Sequence, residues 1–151
     1  MNKTLIVTEL CNMHCSFCCF EGTYKPIKDR MKVYTQSHLE SFLSSLSPND
    51  TLSLMGGEPL LFPKETEYAI KQTKEIYPNM PISVYTNASL LTPHMVNVMN
   101  EYDINMVFSI NLYGEKGLVN LIKRARKDIN IIDLINAVRH KCIRTIYPRM
   151  T

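Results

Sequence analysis

An α/β fold, built as a partial (βα) barrel of about five parallel strands with outer helices, is what this sequence predicts. Three observations carry the prediction. Strand-like and helix-like segments alternate from end to end, the pattern of a parallel sheet wrapped by helices. The chain has 151 residues, whereas a closed eight-stranded barrel typically takes ~250. Polar residues gather at the ends of the predicted strands, where the loops of parallel folds carry their ligands. The length predicts one domain over residues 1–151, enough to bury a sizeable core.

The first strand is expected over residues 4–9, short and β-branched, running straight into Cys11-Asn12-Met13-His14-Cys15-Ser16-Phe17-Cys18. A basic connector follows over residues 25–32. Ser37 and Glu40 have the spacing of a capping box for a first helix, in which Leu39, Phe42, Leu43 and Leu46 recur at i, i+3, i+4 and i+7 and which ends before Pro48. Residues 51–55 read as the second strand, Gly56-Gly57 turns the chain, and Pro63 opens a helix that places Ala69, Ile70, Thr73, Ile76 and Tyr77 on one face. The third strand is expected over residues 82–86. Thr92-Pro93 then supplies an N-cap and a first-turn proline for a helix carrying Met95, Val96, Met99 and Tyr102. A fourth strand over 105–110, helices over 118–127 and 130–141, and a fifth strand over about 143–147 complete the order, with Ile131, Ile135 and Val138 inward on the last helix.

Composition narrows the function. The formal charge of +3 is too small to point to nucleic acid. The longest apolar stretches, such as Leu5-Ile6-Val7 and Met106-Val107-Phe108, are far short of the ~20 residues a membrane span needs. Five cysteines, three of them within eight positions and none preceded by a signal-peptide pattern, predict a reducing cytoplasm.

Cys11, Cys15 and Cys18 have C-x3-C-x2-C spacing, which lets one loop present three soft thiolates to an iron–sulfur cluster. Four irons and three protein ligands leave one iron open, which points to chemistry rather than electron storage. The alternative is a zinc site completed by His14, Cys19 or His38. Structural zinc usually takes four ligands, often as two separated pairs, and this chain has no second pair. Cys19 and Cys142 read as packing residues, Cys142 as a small buried hydrophobe. Gly56-Gly57 alone would be an ordinary turn, and Glu58 alone a first-turn acid favoured by a helix dipole. Lys25, Lys28, Arg30 and Lys32, like Lys123, Arg124, Arg126 and Lys127, read as solvated surface.

Taken together, these motifs resemble those of the radical S-adenosylmethionine (radical SAM) enzymes. Phe17 stands at the aromatic position of C-x3-C-x-aromatic-C, and Met55-Gly56-Gly57-Glu58-Pro59 is similar to the family's Gly-Gly-Glu-Pro segment after the second strand. Thr86-Asn87-Ala88 resembles Thr-Asn-Gly with alanine in place of the glycine. Ser109 and Asn111 resemble Ser-x-Asp with asparagine in place of the acid.

The resemblance implies that Cys11, Cys15 and Cys18 hold a [4Fe-4S] cluster whose open iron is chelated by the amino and carboxylate groups of S-adenosylmethionine (SAM). It implies that Gly56, Gly57, Glu58 and Pro59 bind the SAM amino group and that Phe17 contacts the adenine. Asn87 joins the cofactor site, and Ser109 and Asn111 reach the SAM carboxylate or ribose. It further implies reductive cleavage of SAM to a 5′-deoxyadenosyl radical that abstracts hydrogen, with no proton-transfer residue needed for that first step. Relatives usually have a sixth strand, and many have a C-terminal domain with auxiliary clusters; the match from Thr4 to about Tyr147 contains neither. The resemblance points to a peptide or protein substrate, to a reductant such as flavodoxin or ferredoxin, and to a partner chain or second copy that closes the barrel. An activase that installs a glycyl radical on a partner protein is the enzymatic alternative. A non-catalytic module that binds a cluster or zinc is the alternative from another class.

Overall fold

Each strand hands over to helix and the next strand returns beside it. In the computed structural model, which describes residues 1–12, 27–110 and 115–145, the order is β1 (Asn2–Thr8), α1 (Gln36–Ser44), β2 (Thr51–Gly56), α2 (Pro63–Ile76), β3 (Ile82–Thr86), α3 (Pro93–Glu101), β4 (Asn105–Ile110), α4 (Glu115–Arg124), α5 (Ile131–Ala137) and β5 (His140–Thr145). The five strands form one sheet in the order β1-β2-β3-β4-β5, every neighbouring pair parallel. Strands that follow one another across a sheet through crossovers of a single hand place their helices on one face. Accordingly α2 packs beside α3, and α3 beside α5.

Period-two alternation divides the sheet into two unlike faces. Leu5 and Val7, Leu52 and Leu54, Ile82 and Val84, and Met106 and Phe108 are buried in the core with Leu39, Leu43, Ala69, Ile70, Met95, Met99 and Ile135 of the helices. Burying a side chain of this size stabilises the fold by roughly 1.5–3 kcal/mol. The register places Thr4, Ser53, Ser83, Asn105, Tyr85, Ser109 and Arg144 on the other face. That face is mixed: Ile6, Met55 and the buried Val107 share it with hydrogen-bonded polar pairs such as Asn105 Nδ2 donating to Ser83 Oγ at 3.4 Å.

Several expectations shift. The N-cap of α1 is Thr35, whose Oγ1 accepts from His38 N–H at 3.1 Å, so the Ser37/Glu40 capping box does not form. The buried face of α2 is Thr66, Ala69, Ile70 and Thr73, whereas Ile76 is 52 % exposed; ten residues beyond Thr66 it has rotated to the edge of the stripe. α5 ends at Ala137 and β5 begins at His140, which puts Cys142 on an exposed edge strand rather than in the core. Lys123, Arg124, Arg126 and Lys127 are exposed, as expected of a solvated surface. Among the described residues, no helix is long and apolar enough to cross a membrane.

Thr92 does cap α3, accepting from Met95 N–H at 3.2 Å with Pro93 in the first turn. Thr92→Ala removes that acceptor and is expected to cost about 1 kcal/mol. A lower urea midpoint at unchanged slope would show it.

Candidate functional site

Beyond the last ladder pair of β1 and β2, backbone pairing continues into the cysteine segment. Gly57 N–H donates to the Thr8 carbonyl at 2.9 Å and Glu58 N–H to the Leu10 carbonyl at 2.8 Å. Cys11 is the next residue, so the Gly-Gly-Glu backbone sets the base of the cysteine loop. Both glycines are required by this approach. A Cβ at Gly56 would lie 2.1 Å from the Thr8 carbonyl oxygen, one at Gly57 would lie 2.0 Å from that of Leu10, and Gly56 also has φ +152°. What the missing side chains admit is the backbone of the first strand and its exit.

Glu58 lies at the centre of the strand ends and is 1 % exposed. Its Oε2 accepts from Leu60 N–H at 3.0 Å and from the Thr86 hydroxyl at 2.5 Å, while Oε1 accepts from Asn87 N–H at 2.7 Å. The first bond caps the single 3-10 turn Pro59–Leu61, and the other two tie the end of β2 to the end of β3. Burial pushes the Glu58 carboxyl above its usual range, against the pull of the donors from Asn87, Thr86 and Leu60.

Asn87 reaches from β3 to the cysteine segment. Its Nδ2 donates to Asn12 Oδ1 at 3.0 Å and stands 3.9 Å from Cys11 Sγ. Ala88, which replaces the glycine of the family pattern, has φ +70°; the left-handed turn is kept even though the residue is not glycine. Its N–H donates to Thr86 Oγ1 at 3.1 Å and it is fully buried.

On the mixed face, Arg144 donates to Ser109 Oγ at 3.4 Å, and its guanidinium carbon lies 5.3 Å from the centroid of the Tyr85 ring. This pairing follows from the register, which sets Ser109 opposite Arg144. The structure thus brings Cys11, Gly56, Gly57, Glu58, Pro59 and Asn87 together at adjoining strand ends, with Ser109 on the next strand. Cys15, Cys18, Phe17 and Asn111, with His14, Cys19, Lys25 and Tyr147, lie outside the described residues. Among the described residues no group of three His, Cys, Asp or Glu is placed to hold a metal ion. Sequence reasoning missed Asn12, Ser89 and Arg144. The signal for Arg144 is a basic residue on the last strand, in register with Ser109.

The solved structures similar to this chain include anSMEcpe with AdoMet and a Cp18Cys peptide bound, at a TM-score of 0.63 and 18 % identity over 94 % of this chain and 42 % of that one. The same protein with AdoMet and a Kp18Cys peptide matches at a TM-score of 0.67 and 16 % identity, over 96 % of this chain and 43 % of that one. The chain thus spans less than half the length of these structures, and the likeness is one of fold. A comparison with curated proteins finds no match. The sequence profile of the Radical SAM superfamily matches residues 5–147. With that match over nearly its whole length, the chain belongs to the radical SAM superfamily, whose cofactors are a [4Fe-4S] cluster and S-adenosylmethionine.

Proposed function

We propose that this chain is a radical SAM enzyme core that acts on a peptide or protein. In this reading Cys11, Cys15 and Cys18 hold the cluster, and the ends of β1 to β4 hold SAM. The observation that carries it is the hydrogen-bonded convergence of Cys11, the Gly56-Gly57-Glu58 backbone and Asn87 at the carboxyl ends of three adjacent parallel strands. Three thiolates from one loop suit iron better than the four-ligand demand of zinc. When bound, the cluster supplies the electron that cleaves SAM reductively, yielding the radical that abstracts hydrogen.

The residues of this chain bind and orient. Gly56, Gly57 and Pro59 would offer backbone to the SAM amino group. Glu58, its carboxylate turned inward, holds that backbone against the end of β3. Phe17 would contact the adenine, and Ser109 and Asn111 would address the ribose or carboxylate. Arg144 adds a guanidinium suited to a carboxylate, already oriented by Ser109 and the Tyr85 ring. A peptide substrate is supported by the peptide-bound anSMEcpe structures. We assign the electron to a flavodoxin or ferredoxin in the cytoplasm, and closure of the open barrel to a partner chain or a second copy.

The test is anaerobic reconstitution with iron and sulfide, addition of SAM and a strong reductant, and chromatography for 5′-deoxyadenosine, with Cys15→Ala as control. Product from the native chain and none from the variant is expected. Intact SAM beside a fully loaded cluster, or zinc in place of iron, would overturn the reading.

A further inference from the structure

We propose that Asn87 tunes the cluster: its side-chain N–H, held by a closed ring with Asn12 and Ser89, is aimed at the Cys11 sulfur and raises the reduction potential of the cluster bound there. The proposal rests on the reading that Cys11 is a cluster ligand.

The orientation of the Asn87 amide is fixed by chemistry. The backbone N–H of Ser89 can only donate, so the Asn87 atom it meets at 3.0 Å is the oxygen Oδ1. The nitrogen Nδ2 must then face the cysteine segment. It carries two hydrogens and finds two acceptors there, Asn12 Oδ1 at 3.0 Å and Cys11 Sγ at 3.9 Å. Asn12 Nδ2 in turn donates to Ser89 Oγ at 2.9 Å, and that hydroxyl donates to Asn87 Oδ1 at 2.7 Å. Each of the three side chains donates to the next and accepts from the one before. Bonds that run in one sense around a ring polarise one another.

The ring is also anchored from outside. Glu58 Oε1 holds the Asn87 backbone N–H at 2.7 Å, and Ser89 is 2 % exposed. An ordinary Asx turn would account for the Oδ1 contact with Ser89 two residues on. It does not account for an Nδ2 that bonds residues 75 and 76 positions away. A donor aimed at a ligand sulfur stabilises the more negative, reduced state of a cluster, so its potential rises.

The experiment is a reductive titration, followed by visible absorbance and electron paramagnetic resonance, of reconstituted native chain, Asn87→Asp and Ser89→Ala. Iron and sulfide content and a thermal melt are measured on each. Asn87→Asp keeps the shape but replaces the donor with a charged acceptor, and its cluster should be reduced at a lower potential. Ser89→Ala opens the ring while leaving the donor, and should move the potential in the same direction by less. Loaded, folded variants that both keep the native potential would overturn the inference and leave the cluster reading standing. A native chain that takes up no cluster would overturn both.

Discussion

Gly56→Ala is expected to destabilise the fold by on the order of 4 kcal/mol, and Gly57→Ala by a similar amount. At Gly56 two costs add. The backbone sits at φ +152°, outside the range an alanine adopts freely, and the new methyl would fall 2.1 Å from the Thr8 carbonyl oxygen. At Gly57 the collision is with the Leu10 carbonyl at 2.0 Å. Neither obstacle is a side chain that can rotate away. Each is a backbone carbonyl of the paired segment leading into Cys11. A native domain is stable by only ~5–15 kcal/mol, so either substitution removes a large share. It should also displace the base of the cysteine loop and cut iron uptake. Ala88→Gly is the contrasting control. It relieves the φ of +70° but gives up a buried methyl, so its net effect should be small. Urea midpoints and iron content of the three variants test the account, and native midpoints in both glycine variants would sink it.

The strand-end chemistry was legible because it is local. The cysteine spacing and the Gly-Gly-Glu-Pro run declare themselves within a few residues, and the bounds of β3 and β4 fall where alternation places them, at 82–86 and 105–110. What the sequence did not show depends on distant partners. α5 ends at Ala137 because Asn100, at the end of α3, donates to the Ala137 carbonyl at 3.0 Å and accepts from Arg139 N–H at 2.8 Å. No local pattern announces a cap supplied from 37 residues away, and the misplaced fifth strand and buried Cys142 follow from that. At α1, Tyr34 N–H donates to the Val7 carbonyl at 3.0 Å, which keeps the chain extended up to Thr35 and settles the cap there. The Asn12–Asn87–Ser89 ring is hidden for the same reason. Three ordinary polar residues become one device only when the ends of β1 and β3 meet.

Glu58→Gln and Glu58→Ala should separate what this buried carboxylate does for stability from what it does for Asn87. Alanine leaves three donors unmet, from Leu60, Thr86 and Asn87, in a space that is 1 % exposed. Each orphaned donor costs ~1–3 kcal/mol, so Glu58→Ala should be the most damaging substitution at the strand ends. Glutamine keeps the volume, and its amide nitrogen can donate to Thr86 Oγ1. Its oxygen can then still accept from Asn87 N–H, while the Leu60 N–H and the Thr86 hydroxyl proton lose their acceptor, at ~1–3 kcal/mol each, with the reversed Thr86 bond offsetting part of the second. The cluster potential should therefore hold in Glu58→Gln and fall in Glu58→Ala. The pH dependence follows from the raised carboxyl. The folded chain holds the Glu58 proton more tightly than the unfolded chain, so this group contributes stability that is fully present below the ordinary carboxylate range and lost as pH rises through the folded value. Glutamine has no such titration. The stability deficit of Glu58→Gln should be greatest in acid and should narrow as pH rises, as measured by urea unfolding across that range. A deficit that stays constant with pH would mean that Glu58 titrates alike in both states, and that its donors offset its burial in full.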